Sequence, residues 1–151
     1  MVQRAEALRS GGEKRTNTEA ADRGKLLEKL RRIALRELEK RSTTLVDEPW
    51  ISVTTALSDK DIEEMVLMIL REARCPLTWR EMKYIFAGVV GEDRLRKILI
   101  NLKARGVIAE LTKIRFALPE YVPVEEIHKV KNPGVLGKIY ERLREKRIPP
   151  N

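Results

Sequence analysis

Residues 92–118, EDRLRKILINLKARGVIAELTKIRFAL, change their hydrophobic period halfway along. From Glu92 to Arg105, Leu95, Ile98, Leu99 and Leu102 recur at i, i+3, i+4 and i+7, which places them on one face of a helix. Gly106 terminates that run, as glycine does where a helix must turn out of its own path. Val107 to Leu111 (VIAEL) and Ile114 to Leu118 (IRFAL) then read as two short strands joined by Thr112-Lys113, a β-hairpin, and Pro119 stops the second. A helix feeding directly into a hairpin is the feature from which the rest of the fold is read.

Upstream, Ser58 opens a helix with acidic Asp59 and Asp61 in its first turn, where carboxylates favour the helix dipole. Ile62, Met65, Val66, Ile69, Leu70 and Ala73 form its apolar stripe, widened by Leu67 and Met68. After Pro76, Thr78-Trp-Arg-Glu81 has the spacing of a capping box, in which hydroxyl and carboxylate each satisfy a free amide of the first turn. The helix it opens is short, Trp79 to Ala87, with Met82, Ile85 and Phe86 inward and Gly88 as its C-cap. Three helices followed at once by a hairpin make one supersecondary unit, a domain over 58–119 that is mainly α with a small β-hairpin.

The flanks differ in character. Residues 1–21 hold a Gly-Gly pair and few large apolar side chains, and are expected to be a flexible basic arm (Arg4, Arg9, Lys14, Arg15). In 22–41, with Asp22 as N-cap, Leu27, Leu30, Ala34 and Leu38 predict an amphipathic helix of about five turns, at 3.6 residues per turn. Residues 42–57, with Pro49 and β-branched Ile51, Val53, Thr54 and Thr55, read as an extended connector in which Trp50 is a packing anchor. In the extension 120–151, a short helix is expected after Pro123 and a turn at Asn132-Pro133-Gly134. A longer helix over 135–147 should follow, carrying Leu136, Ile139, Tyr140 and Leu143.

Composition narrows the chemistry. The chain has 151 residues, 31 Lys+Arg and 23 Asp+Glu, giving +8. Across 1–50, 51–100 and 101–151 the net charges are +3, 0 and +5, a neutral centre between basic ends. That distribution suits a polyanion-binding module with positive extensions, although a charged surface also serves solubility. A single Gln among so many Glu, Lys and Arg points to a thermophile.

The longest apolar run, Met65 to Leu70, falls far short of the roughly 20 residues of a membrane span, so no membrane contact is expected. The N-terminus carries charges where a signal peptide needs an apolar stretch, so export is not expected and a cytoplasmic location is. With one Cys and one His, the chain can form no internal disulfide and no usual zinc site. Cys75 reads as a buried filler and His128 as a solvated helix residue. Gly134-Val-Leu-Gly137-Lys138 lacks the spacing of a phosphate-binding loop. No enzyme, no cofactor and no metal are expected.

The order of elements resembles the winged helix-turn-helix domain, in the form found in small archaeal regulators. The run Pro76-Leu77-Thr78 followed by a short helix looks like the start of that family's second helix. Leu95-xx-Ile98-Leu99-xx-Leu102-xxx-Gly106-Val107-Ile108 is similar to its third helix running into the first wing strand. The likeness covers about 60 of the 151 residues and consists of packing positions, not catalytic letters.

It implies a protein that binds double-stranded DNA, a transcription regulator, with the third helix in the major groove and the hairpin on phosphates. Turning the helix 100° per residue puts Arg96, Lys97, Ile100 and Lys103 outward, flanked by Arg94 and Asn101. Arg and Lys can donate to guanine or phosphate, Asn can read adenine, and Ile can meet a thymine methyl. Lys113 and Arg115 would serve the wing. Glu92 and Asp93 depart from the pattern, because carboxylates at this helix's N-terminus repel phosphate. The wing is also short and lacks a Gly-rich tip.

Two other readings stay open: a structured-RNA or ribosome-associated winged helix, and a protein-docking module in a transcription, replication or division assembly, which Ile100 favours. The apolar faces of the flanking helices (Leu27, Leu30, Leu38, Leu136, Ile139, Leu143) would either form a homodimer surface or cap the domain's own core.

Overall fold

The computed structural model describes the backbone of residues 2–43 and 57–147, and the side chains of residues 19–42 and 57–145. Five helices and three short strands follow one another as α1 (Val2–Thr43), α2 (Asp59–Ala73), β1 (Leu77–Thr78), α3 (Trp79–Phe86), α4 (Glu92–Ala104), β2 (Ala109–Leu111), β3 (Arg115–Ala117) and α5 (Leu136–Arg147). The fold is mainly α with a small antiparallel sheet of order β1-β3-β2.

Local chemistry sets the boundaries. At the start of α2 the Asp61 amide donates to Ser58 Oγ at 3.1 Å, and the Ser58 amide donates to Asp61 Oδ2 at 3.1 Å. Thr78 and Glu81 make the same reciprocal pair at α3, at 2.9 and 3.1 Å, so the capping box read from the sequence is present. Between α3 and α4 the chain turns through Gly88 at φ 83°, and it leaves α4 through Gly106 at φ 72°. Both angles lie in the left-handed region that glycine adopts without steric cost.

The hairpin stands where expected but is shorter, three residues per strand, with Leu111 opposite Arg115 and Ala109 opposite Ala117. Beside it lies β1, pairing Leu77 with Phe116 and Thr78 with Arg115. Two residues are too short to show an alternating pattern, and the strand they join is far along the chain. β3 alternates as a two-sided strand should: Phe116 and Leu118 enter one core cluster and Ala117 the other.

The N-terminal region differs from expectation. Helix runs unbroken from Val2, so residues 2–21 do not form an arm apart from the helix, and Asp22 lies in the helix interior. The stretch before Asp22 is rich in Ala, Glu and Arg, which favour helix, and contains no proline; Gly11 and Gly12 cost about 1 kcal/mol each relative to alanine. Ser42 and Thr43 extend the same helix. Residues 44–56 of the expected connector, including Trp50, lie outside the described residues, as do the side chains of Arg4, Arg9, Lys14 and Arg15.

Two cores result. The larger gathers α1, α2, α3, α4 and one face of the sheet, with Leu30, Ile62, Leu70, Leu77, Met82, Phe86 and Leu102 fully buried. The smaller lies across the other face of the sheet, where Ala109, Leu111 and Ala117 meet Val122, Val135 and Ile139. This shows one of the two roles considered for the flanking helices. Leu30 is buried in the first core with Leu27 and Leu38 packed against it; Ile139 is buried in the second with Leu136 and Leu143 beside it. All six side chains pack on the chain's own cores, Leu30 and Ile139 buried and the other four half-buried. An amphipathic stripe requires a cover but does not say whose.

The tail is ordered against the wing. After 3-10 turns at Pro119–Tyr121 and Val124–Lys129, Leu111 and Val130 form an antiparallel bridge alongside β2. A turn at Pro133–Val135 then leads into α5, and Lys138 Nζ donates to Gly106 O at 2.7 Å. Among the described residues no helix is long and apolar enough to cross a membrane.

Candidate nucleic-acid interface

Helix α4 is held down by Leu95, Ile98, Leu99 and Leu102, all buried, as its spacing predicts. The face opposite them exposes Arg96, Lys97, Ile100 and Asn101. Of the residues expected to face a groove, these four are turned outward and make no ion pair among the described residues. Among the described residues α5 packs instead against the turns at Pro119–Tyr121 and Pro133–Val135.

Three expected contacts are engaged elsewhere. Arg94 turns back to the start of α2, where its Nε donates to Asp59 Oδ1 at 2.8 Å and its Nη2 to Leu57 O at 2.8 Å. Lys103 donates to Glu110 Oε1 at 2.8 Å. Arg115 donates to Glu126 Oε1 at 2.8 Å and to Thr112 O at 3.0 Å. Each cation sits within reach of a carboxylate or carbonyl that helical spacing along α4 could not reveal, because the acceptor belongs to another element. The wing therefore offers Lys113 alone as an exposed cation, at its tip.

The wing tip is conformationally unusual. Lys113 and Ile114 both have positive φ, 65° and 51°. A β-branched residue there is a genuine outlier that needs surrounding structure to hold it. The Ile114 carbonyl accepts from the Trp79 amide at 2.9 Å, which ties the wing to the first turn of α3.

Trp79, read from the sequence only as part of a cap, proves central. Its half-buried ring lies under the Arg96 guanidinium at 5.3 Å from the centroid, and Lys83 lies over it at 5.7 Å. Cations over an indole face are held electrostatically, so the ring sets Arg96 at the edge of α4. Arg80, one residue on, is exposed. The capping box fixes where α3 begins and is the one signal from which these positions could have been foreseen. Between α4 and the wing runs a groove of about 510 Å³ with Ile100, Ile114, Phe116 and Trp79 on its walls and Arg96, Lys103 and Lys131 at its rim. Ile100 and Ile114 are each 52% exposed.

Asn132 ties α4 to the strand that follows it. Its Oδ1 accepts from the Glu110 amide at 2.8 Å, and its Nδ2 donates to Lys103 O at 3.2 Å and Ile108 O at 2.9 Å. One side chain thus joins the end of α4 to β2. From the sequence it is only a turn residue before proline.

On the far side, α1 is pinned to the cap of α3. Arg23 donates to both Glu81 carboxylate oxygens at 2.7 Å, to Pro76 O at 2.7 Å and to Cys75 Sγ at 3.1 Å. Burial pushes the Glu81 carboxyl up, but the Arg23 guanidinium and the Thr78 amide outweigh it and hold the group below its ordinary value. Cys75 thereby serves packing and this polar contact. Glu92 and Asp93 are exposed at the α4 N-terminus, so that helix end offers no anion site.

What the geometry provides is a helix face bearing two cations that pair with no carboxylate among the described residues and an amide, with further cations on α3 and at the wing tip, beside an apolar groove. No family model, curated protein or solved structure matches this chain.

Proposed function

We propose that this chain is a non-enzymatic winged-helix protein that binds double-stranded DNA and acts in transcription regulation, with α4 in the major groove. Arg96, Lys97 and Asn101 face the base edges and Lys113 rests on phosphate. Arg80 and Lys83 on α3 add contacts to the backbone beside the groove. Arg94, Lys103 and Arg115 hold the scaffold and touch no nucleic acid in this reading. The observation that carries it is the outward, unpaired placement of Arg96, Lys97 and Asn101 on a helix otherwise fixed by four buried side chains.

A duplex of random sequence titrated against structured RNA, by anisotropy at matched salt, tests it. DNA is expected to compete better, and R96Q/K97Q to weaken duplex binding at least tenfold. Preferred binding of RNA, or full binding by the double variant, contradicts it.

A second reading has its own support. The groove between α4 and the wing is walled by Ile100, Ile114, Phe116 and Trp79, which suits an apolar segment of a protein better than a phosphate backbone. A protein-docking module would lose its partner on Ile100→Ser and show no salt-sensitive binding to DNA. A DNA-binding protein would instead retain most nonspecific affinity, because that affinity comes from phosphate contacts.

A further inference from the structure

The outward face of α1 carries Lys25, Lys29, Arg32, Arg36 and Lys40 at intervals of three or four residues. At 100° per residue they fall within an arc of about 80°, and at 1.5 Å per residue they span about 22 Å. Lys25, Arg32 and Arg36 are exposed and pair with no carboxylate among the described residues. Lys29 reaches Glu72 at 3.9 Å with both side chains about half exposed, a contact of little strength in water. Lys29, Arg32, Arg36 and Lys40 border a groove of about 530 Å³ along α1 and α2. Its two carboxylates are Glu37, which accepts from Arg41 at 3.0 Å, and Glu72. Glu28 and Glu39 lie on the adjacent sector, and Glu28 accepts from the Tyr84 hydroxyl.

This surface lies away from α4. Asp61, Glu64 and Glu72 of α2 pair with Arg41 and Lys29 of α1, whereas Asp59 and Glu63 pair with Arg94 and Arg105 at the two ends of α4. Around α2 the two sets fall on roughly opposite sides at 100° per residue. The exposed faces of α1 and α4 each point away from the shared core, so a straight duplex seated on one does not reach the other.

Resting on the DNA-binding reading of α4, we propose that the α1 stripe is a second duplex-backbone surface, so that one chain joins two duplexes. The stripe has the features of a site for a linear polyanion. Its cations repeat along a straight rod, and B-DNA presents one charge per about 1.7 Å of axis. The apolar side of α1 is already buried in the chain's own core, which leaves little to insert into a lipid surface.

Two short duplexes of the same sequence, one carrying a donor dye and the other an acceptor, are mixed with the full chain. Energy transfer between them reads the joining, and anisotropy at limiting protein reads single-duplex binding. The variant K25Q/R32Q/R36Q retains helix-favouring residues, and its helix content is checked by circular dichroism. Loss of at least fivefold in transfer, with single-duplex affinity within twofold of wild type, is the expected result. Transfer unchanged in this variant, or absent in the wild-type chain, overturns the proposal. R96Q/K97Q placed in the K25Q/R32Q/R36Q background decides the α4 reading separately: full single-duplex affinity in that combined variant, whose α1 stripe is already disabled, sinks that reading.

Discussion

Asn132 and Glu81 show how single side chains outside the α4 face join the elements that carry it. Asn132 makes three hydrogen bonds that join the end of α4 to β2. Replacing it with alanine leaves an amide and two carbonyls in search of water and is expected to cost about 2–3 kcal/mol; denaturant unfolding reads this. Asn132→Asp can still accept but cannot donate to the carbonyls, and is expected to be no better.

Glu81 has a depressed folded value, as do Asp61, whose main cause is the Ser58 amide, and Glu126, whose main cause is Arg115. A carboxyl lowered by folding stabilises at neutral pH, and that contribution is lost as pH falls through the folded value. Thermal unfolding followed from pH 7 downward is therefore expected to show stability holding to about pH 4, the ordinary carboxylate range, and falling below it. Glu81→Gln should be less stable at pH 7 and flatten the fall. A melting temperature that rises on acidification would contradict the assignment.

At the scale of elements, what was legible in the sequence was whatever local periodicity and capping encode. Four apolar residues fixed the orientation of α4, and Thr78 and Glu81 fixed where α3 starts. β1 was not legible, because two residues carry no period and their partners lie on β3. The fates of Arg94, Lys103 and Arg115 were hidden for a related reason: a helical wheel separates inward from outward but does not show which outward side chain curls onto Asp59, Glu110 or Glu126. The cover of the α1 stripe was equally out of reach, since an apolar face fits a second copy or the chain's own domain. The structure seats it on α2 and α3, with Leu30 fully buried. Leu30→Ala should therefore cost about 2–5 kcal/mol, with no dependence on protein concentration in the denaturation midpoint. A midpoint that moves with concentration would reinstate a dimer through α1.

Taken as a whole, the molecule is a scaffold whose ion pairs are concentrated where elements join, leaving a small set of cations facing outward. Surplus charge alone does not distinguish a solvated surface from a binding one. The difference lies in which cations the fold leaves without a carboxylate, and Arg96 and Lys97 are among them, next to a wing whose tip is held in a strained turn. The most direct measurement is the dependence of duplex affinity on salt, compared between wild type and R96Q/K97Q. Each lost phosphate contact removes about 0.9 from the log–log slope. The double variant should be flatter by about 1 to 2 with helix content unchanged; an identical slope in the two proteins would contradict the placement of α4 on DNA.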